Sequence, residues 1–384
     1  VENRYDYLNL NTCRFLWKQV KFPTATDASN TTAQVLKQGE VQGSDVAAHS
    51  AGVLDIKTTI LPDADALFLT AIDRYGHELW RWTFPVNKLN QANEVLSPLS
   101  NKVTSTETEN ELTVKAKNHT FIFSKKDGQL KGVSVNNRKI SFANGPRFIG
   151  ARRADRSLDQ FYNHDDEKAK EKDRTYSEFP DAAVFTKLDV KEDGGNLIVT
   201  ADYKLGNLDK VQWTINPNGE AVLDYTYNFS GVVDLMGICF DYPEDQVISK
   251  RWLGAGPYRV WQNRIHGTQY DVWENDYNDP IPGETFTYPE FKGYFGSVSW
   301  MNIRTKEGTI SLTNETPDAY IGVYQPRDGR DRLLYTLPES GISVLNVIPP
   351  VRNKVNSTDL CGPSSQPKWV NGPQSGRIIF RFME

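Results

Sequence analysis

The residues best able to do chemistry in this 384-residue chain gather behind one tryptophan. Lys250-Arg251-Trp252-Leu253-Gly254-Ala255-Gly256-Pro257 reads as a strand running into a Gly-x-Gly-Pro turn, and such a turn fixes the direction of the chain that follows. Tyr258, Arg259, Trp261, Asn263, Arg264 and His266 come next. Aromatic rings interleaved with hydrogen-bonding groups suit a sugar-binding rim. The same stretch would serve equally as a loop packed on its own sheet. Cleavage of a glycosidic bond would need two carboxylates roughly 5 to 9 Å apart across it, a distance no sequence displays. Asn93-Glu94, Asn110-Glu111 and Asn314-Glu315 each set a carboxylate beside an amide. A catalytic pair of that kind belongs at the end of a barrel strand. No strand–helix alternation surrounds any of the three, so all read as chance.

Other chemistries find little support. His164-Asp165-Asp166-Glu167 resembles a ligand cluster, but adjacent residues rarely converge on one ion, and a solvated charge run is the commoner meaning. His49, His77, His119 and His266 are scattered, without an HExxH spacing. There is no G-x-S-x-G elbow, P-loop or Rossmann fingerprint. Cys13, Cys239 and Cys361 have neither metal nor disulfide-framework spacing. No metal or other cofactor is expected.

A net charge of −5 without a sustained basic cluster argues against nucleic acid as a partner. No apolar run approaches the ~20 residues of a membrane helix, so no membrane partner is expected. Hydrophobic residues at 38% and charged residues at 24% fit a soluble globular chain. No signal peptide is legible at Val1, and an opening in strand-like text is what a trimmed product would show.

The positioning elements read as strands. In residues 1–87, Arg14 to Val20, Gly52 to Lys57, Ala66 to Ile72 and Glu78 to Phe84 alternate or run apolar, with turns at Pro62-Asp63 and Tyr75-Gly76. That spacing predicts an Ig-like β-sandwich. Residues 88–107 are polar, lack a period and read as a linker. From 108 to 384 strands resume: Glu111 to Ala116, Thr120 to Phe123, Leu130 to Val135, Gly195 to Tyr203, Val211 to Ile215, Val222 to Phe229 and Gly308 to Leu312. Lys126-Asp127-Gly128 and Asn136-Asn137 are turn signals. Ser157 to Arg174 is charged and reads as a loop or short exposed helix. So long a strand-rich run exceeds one Ig sandwich and predicts two large packed sheets.

The Trp252 to Pro257 run resembles the W-x-G-x-G-P stretch of the β-galactosidase small domain in family 2 glycoside hydrolases. That family continues with Glu, Asn-Tyr and Asp-Arg, whereas this chain keeps only the Arg264 end, with Asn263 where Asp is usual. Phe123 to Leu130, Gly145-Pro146-Arg147-Phe148 followed by Arg152-Arg153-Ala154-Asp155, Met236-Gly237-Ile238, Tyr288 to Trp300, and Asp359 to Trp369 resemble further family segments in the same order. Residues 1–87 resemble the preceding linker sandwich.

The resemblance implies an all-β chain: an Ig-like β-sandwich followed by a large supersandwich similar to galactose mutarotase. It also implies a carbohydrate partner and a missing catalytic barrel of the same enzyme, which would carry the catalytic Glu pair. This chain would then hold no catalytic residue. Its carbohydrate-facing candidates are Trp369 first and Trp261 second, with Arg264, Asn263, Arg259, Arg152 and Asp155. A periplasmic or extracellular home follows from family habit. Two alternatives stay open. One is a stand-alone supersandwich enzyme of epimerase or lyase type, with His266 and Glu274 or Asp271 as acid and base. The other is a structural module without ligand.

Overall fold

A computed structural model describes residues 1–27, 32–87, 102–153, 176–179, 182–276, 293–323, 338, 340–350 and 362–384. Among them the regular structure is β-strand with three short 3₁₀ turns. The predicted helix alternative at Ser157 to Arg174 lies outside these residues. The chain divides into two units, Val1–Asn93 with Gln269–Trp273, and Glu94–Thr268 with Glu274–Glu384.

The first unit is built on four antiparallel strands, β1 (Arg14–Lys21), β2 (Gln34–Gln42), β3 (Ala66–Ile72) and β4 (Glu78–Pro85), in the order β2-β1-β3-β4. Alternation in β1 buries Phe15, Trp17 and Gln19 and leaves Arg14 and Lys18 in water. Trp17 lies against Gly39 of β2, where any Cβ would strike the indole. The predicted strand at Gly52 to Lys57 joins no ladder. It is extended, its burial alternates, and Leu54 packs on the core of Leu10, Cys13, Phe15, Val46 and Ala71. Side chains hold this stretch where a ladder would otherwise do so. The buried Gln19 amide donates to Thr58 Oγ1 (3.0 Å) and Thr59 O (2.8 Å), and accepts from the Leu61 N–H (2.7 Å). Among the described residues, the four-stranded sheet of this unit thus faces a side-chain-anchored cover. An open groove of about 830 Å³ remains over Leu69, Trp80, Trp82 and Phe84.

The second unit holds two large sheets. The first contains β5 (Thr104–Glu107), β6 (Glu111–Ala116), β7 (His119–Ser124), β8 (Leu130–Val135), β9 (Arg138–Ile140), β10 (Ala143–Arg153) and β11 (Tyr176–Glu178). The second contains β12 (Val184–Asp193), β13 (Asn196–Lys204), β14 (Leu208–Ile215) and β15 (Ala221–Val233). The chain then returns to the first sheet with β16 (Leu235–Asp241) and to the second with β17 (Val247–Gly256), β19 (Trp300–Thr305) and β20 (Gly308–Asn314); β18 (Gln269–Asp276) lies between β17 and β19 in the chain, its residues Gln269–Trp273 being those counted with the first unit. Strands β21 (Tyr320–Val323) and β22 (Ile342–Val347) complete the first sheet, and β23 (Lys368–Met383) the second. Thr104–Glu107 pairs with β6, so the predicted linker gives way to a strand by Thr104; residues 88–101 lie outside the described chain.

Aromatic side chains from the two inner faces fill the space between the sheets. Phe142 lies 4.5 Å from Phe240, 5.1 Å from Phe380 and 5.4 Å from Phe382. Trp213 meets Phe123, Phe240 and Phe380 at 5.9 to 6.2 Å. Phe148 meets Tyr227 at 5.3 Å. These offset and edge-on contacts are the favoured ring geometries, and they add to what burial itself contributes. Replacing Phe380 by Ala should destabilise the fold by about 3–5 kcal/mol, measured by urea unfolding, because its neighbours on both sheets cannot close the void.

His119 bridges the sheets at one end. Its Nε2 lies 2.8 Å from Phe382 O, and its ring stacks on Phe121. Nδ1 is buried and abuts Gly219, where a Cβ would come within 2.1 Å of it. Burial chiefly pushes the imidazole below its ordinary pKa, and Lys117 pushes the same way. A lowered folded pKa means that stability is complete above the unfolded value of about 6.5 and drains away as pH falls through the lower folded value. The acid loss of stability should therefore shrink in His119→Gln, read from unfolding midpoints at pH 7 and pH 5.

Candidate functional site

Trp252 sits fully buried on β17, with its ring edge-on to Phe295 at 4.8 Å. Its indole N–H donates to Ala255 O at 2.9 Å and so ties the start of the Gly-x-Gly-Pro turn to its strand. A Cβ on Gly254 would lie 3.0 Å from Gly296 O, Ser297 O and Val298 Cα, so this close backbone approach is what selects glycine there. The turn delivers Val260, which exchanges both main-chain hydrogen bonds with Tyr294 at 2.7 and 2.9 Å.

Beyond that point the predicted site residues separate. Trp261 is 4% exposed, stands edge-on to Tyr294 at 5.6 Å and packs with Ile149, Leu235 and Leu345. It is a core residue, and the expectation of a sugar-stacking ring there is corrected. Arg259, also buried, lays its guanidinium over the Phe295 ring at 5.3 Å, so the expectation of a rim side chain is corrected too. Desolvated cations on ring faces serve packing. Trp261 and Arg264 close a tight turn, with the Arg264 N–H donating to Trp261 O at 2.8 Å. That turn exposes Arg264 and leaves Asn263 half-buried. Arg152 is exposed on β10 opposite Ser177, and no hydrogen bond among the described residues joins it to this loop. Asp155 lies outside the described residues.

Trp369 is different. It is 71% exposed although its backbone is fixed in β23 opposite Val232 of β15. The loop after Trp252 reaches the chain just before it. Asn263 Nδ2 donates to Ser365 Oγ at 3.0 Å. Gln262 Nε2 donates to Ser364 O at 2.9 Å and to Gln366 O at 2.7 Å. Sequence reasoning missed Gln262; only its place between Trp261 and Asn263 could have flagged it. The structure thus joins Asn263 to the approach of Trp369 across 102 residues of sequence.

The alternative acid–base set is not assembled. His266 and Glu274 are exposed, and no hydrogen bond among the described residues links His266 to either carboxylate. Asp271 is engaged by Arg81 Nη2 at 2.8 Å. Burial raises its pKa most, opposed by the Val272 N–H and by Arg81. Two of the Asn-Glu pairs are surface features: Glu111 is exposed on β6, and Glu315 binds Arg377 Nε at 3.1 Å; Asn93-Glu94 lies outside the described residues. Among the described residues no His, Cys, Asp and Glu group could hold a metal ion.

The family model described as beta galactosidase small chain matches residues 115–348, more than half of the chain. The chain belongs to the beta-galactosidase small chain family. The matched span includes the Trp252 turn and ends before Trp369. No curated protein sequence matches. Similar solved structures include galactose 1-epimerase from Lactobacillus acidophilus, at 10% identity over 74% of this chain and 99% of that one, with a TM-score of 0.41. A GalM/aldose epimerase homologue from C. elegans is 8% identical over 73% of this chain and 99% of that one, with a TM-score of 0.35.

The burial contrast between the two candidate tryptophans can be measured. Trp261→Ala should cost about 3–5 kcal/mol in denaturant unfolding, the range for truncating a core aromatic. Trp369→Ala should stay within about 0.5 kcal/mol of the parent, as exposed positions do.

Proposed function

We propose that this small-chain family member is the C-terminal, non-catalytic portion of a family 2 glycoside hydrolase of β-galactosidase type, acting in the periplasm or outside the cell. Its task is to frame a sugar site whose catalytic carboxylate pair sits on a separate barrel domain of the same enzyme. The observation that carries this reading is Trp369, an indole 71% exposed on a backbone locked into the β15–β23 ladder. A large exposed ring costs water contact unless something covers it, and a sugar's C–H face is the cover that family membership supports. Asn263 and Arg264, on the adjoining turn, supply an amide and a cation suited to hydroxyl groups.

Calorimetric titration of the chain with methyl β-galactoside, with a hydrolysis assay on the same sample, tests the proposal. The expected result is binding without turnover, weakened about 5- to 10-fold in Trp369→Ala, as loss of one aromatic stacking contact implies. Turnover by this chain alone, or undiminished binding by the variant, would overturn it.

A further inference from the structure

Gln262, 8% exposed, reaches the approach to Trp369 from a buried site with both protons of its amide. Its main-chain N–H donates to Pro349 O at 3.1 Å, so the residue is anchored behind as well as in front. Both protons of Nε2 are spent on carbonyls two residues apart, Ser364 O and Gln366 O, at 2.9 and 2.7 Å. Ser364 is the middle residue of the 3₁₀ turn Pro363–Ser365 and Gln366 is its C-cap, and the last residue of the turn is gripped again by Asn263 at Ser365 Oγ. The amide orientation is decided chemically, since the flipped group would face two carbonyl oxygens with a third.

Gln262 pays for this grip. Its Oε1 is buried and has no hydrogen-bond partner. Such a group calls for an explanation, because buried polar atoms are nearly always paired. Gln19 in the first unit shows the contrast: it too bridges distant segments from a buried site, yet its carbonyl accepts from Leu61 N. A leucine at position 262 would fill similar space without an orphaned oxygen. What the amide alone adds is the two-pronged hold on 364 and 366. Lys368 and Trp369 form the last two pairs of the β15–β23 ladder, where fraying begins. Little packing holds a ring that is 71% exposed, so its presentation depends on the backbone beneath it and on the turn that feeds it.

We infer that Gln262 is the positioning residue for Trp369: by clamping residues 364–366 it keeps the end of β23 from fraying and presents the indole in one orientation to a sugar. This rests on the reading of Trp369 as the sugar-facing ring. Releasing an immobilised side chain typically weakens binding by about 3- to 10-fold, and that is the loss expected for Gln262→Leu with methyl β-galactoside.

The test is a double-mutant cycle in the full chain, with hydrogen exchange of residues 363–371 followed by mass spectrometry. Gln262→Leu should speed exchange in that stretch and weaken binding, and Gln262→Leu/Trp369→Ala should bind no more weakly than Trp369→Ala alone, since one acts through the other. Additive losses, or wild-type affinity in Gln262→Leu while Trp369→Ala is weakened, would overturn the positioning role and leave the Trp369 reading intact. Undiminished binding in Trp369→Ala, or no binding by the parent, would sink both. If Gln262→Leu does not fold, Ser365→Ala, which removes the hydroxyl that Asn263 grips in the same turn, should show the same non-additivity with a smaller loss, and additivity there would count against the proposal.

Discussion

Thirteen consecutive residue pairs between β15 and β23, from Ala221–Phe380 to Val233–Lys368, run without a register shift, and much of the large sandwich hangs on them. Side chains alternate between faces with a period of two, so a slip of one residue would turn every inward ring of β23 outward. Phe380 and Phe382 close one end of the aromatic layer against Phe142, Phe240 and Trp213. At the opposite end of the same strand the ladder carries Trp369 into water. Core and candidate site therefore share one register. The register that places the inner rings also sets the height and facing of the outer one, and the turn that Gln262 and Asn263 hold feeds that end of the strand.

The Trp252 turn does a different job from the one its composition suggests. Tryptophan, arginine and glycine arrive in a spacing that looks like a binding rim, yet most of those side chains turn inward. Trp252 closes its own turn, Arg259 covers Phe295, and Trp261 packs with Tyr294. The turn's outward contribution is made by amides, Gln262 and Asn263, directed at a segment a hundred residues later. An aromatic-rich loop can thus serve a site by bracing it. The first unit uses the same device, with Gln19 anchoring an extended cover that makes no ladder.

Much of the strand architecture was legible. Ala66–Ile72, Glu111–Ala116 and Leu130–Val135 have the bounds their apolar patterns predict. Gly128 at φ +72°, and Asn136 and Asn137 at +49° and +64°, occupy the left-handed conformations that turn residues favour. The strand predicted at Gly52 to Lys57 failed because alternation reports which face is buried, and an extended segment held by side chains alternates as well as a laddered one. Thr104–Glu107 was missed for the converse reason: all four residues are exposed, so a paired edge strand left no hydrophobic pattern to read.

The sequence by itself determined an all-β chain, its hairpin turns, its family and the importance of the Trp252 turn, because these rest on local pattern and on side chains a few residues apart. Which tryptophan faces solvent was decided only by tertiary structure. Trp261 and Trp369 are chemically the same group, and nothing within either local stretch distinguishes them. Their burial depends on Tyr294, Ile149 and Leu345 closing over one, while the end of the β15–β23 ladder leaves the other uncovered. Gln262 was hidden in the same way, since the carbonyls that give its amide a purpose lie 102 and 104 residues further along the chain.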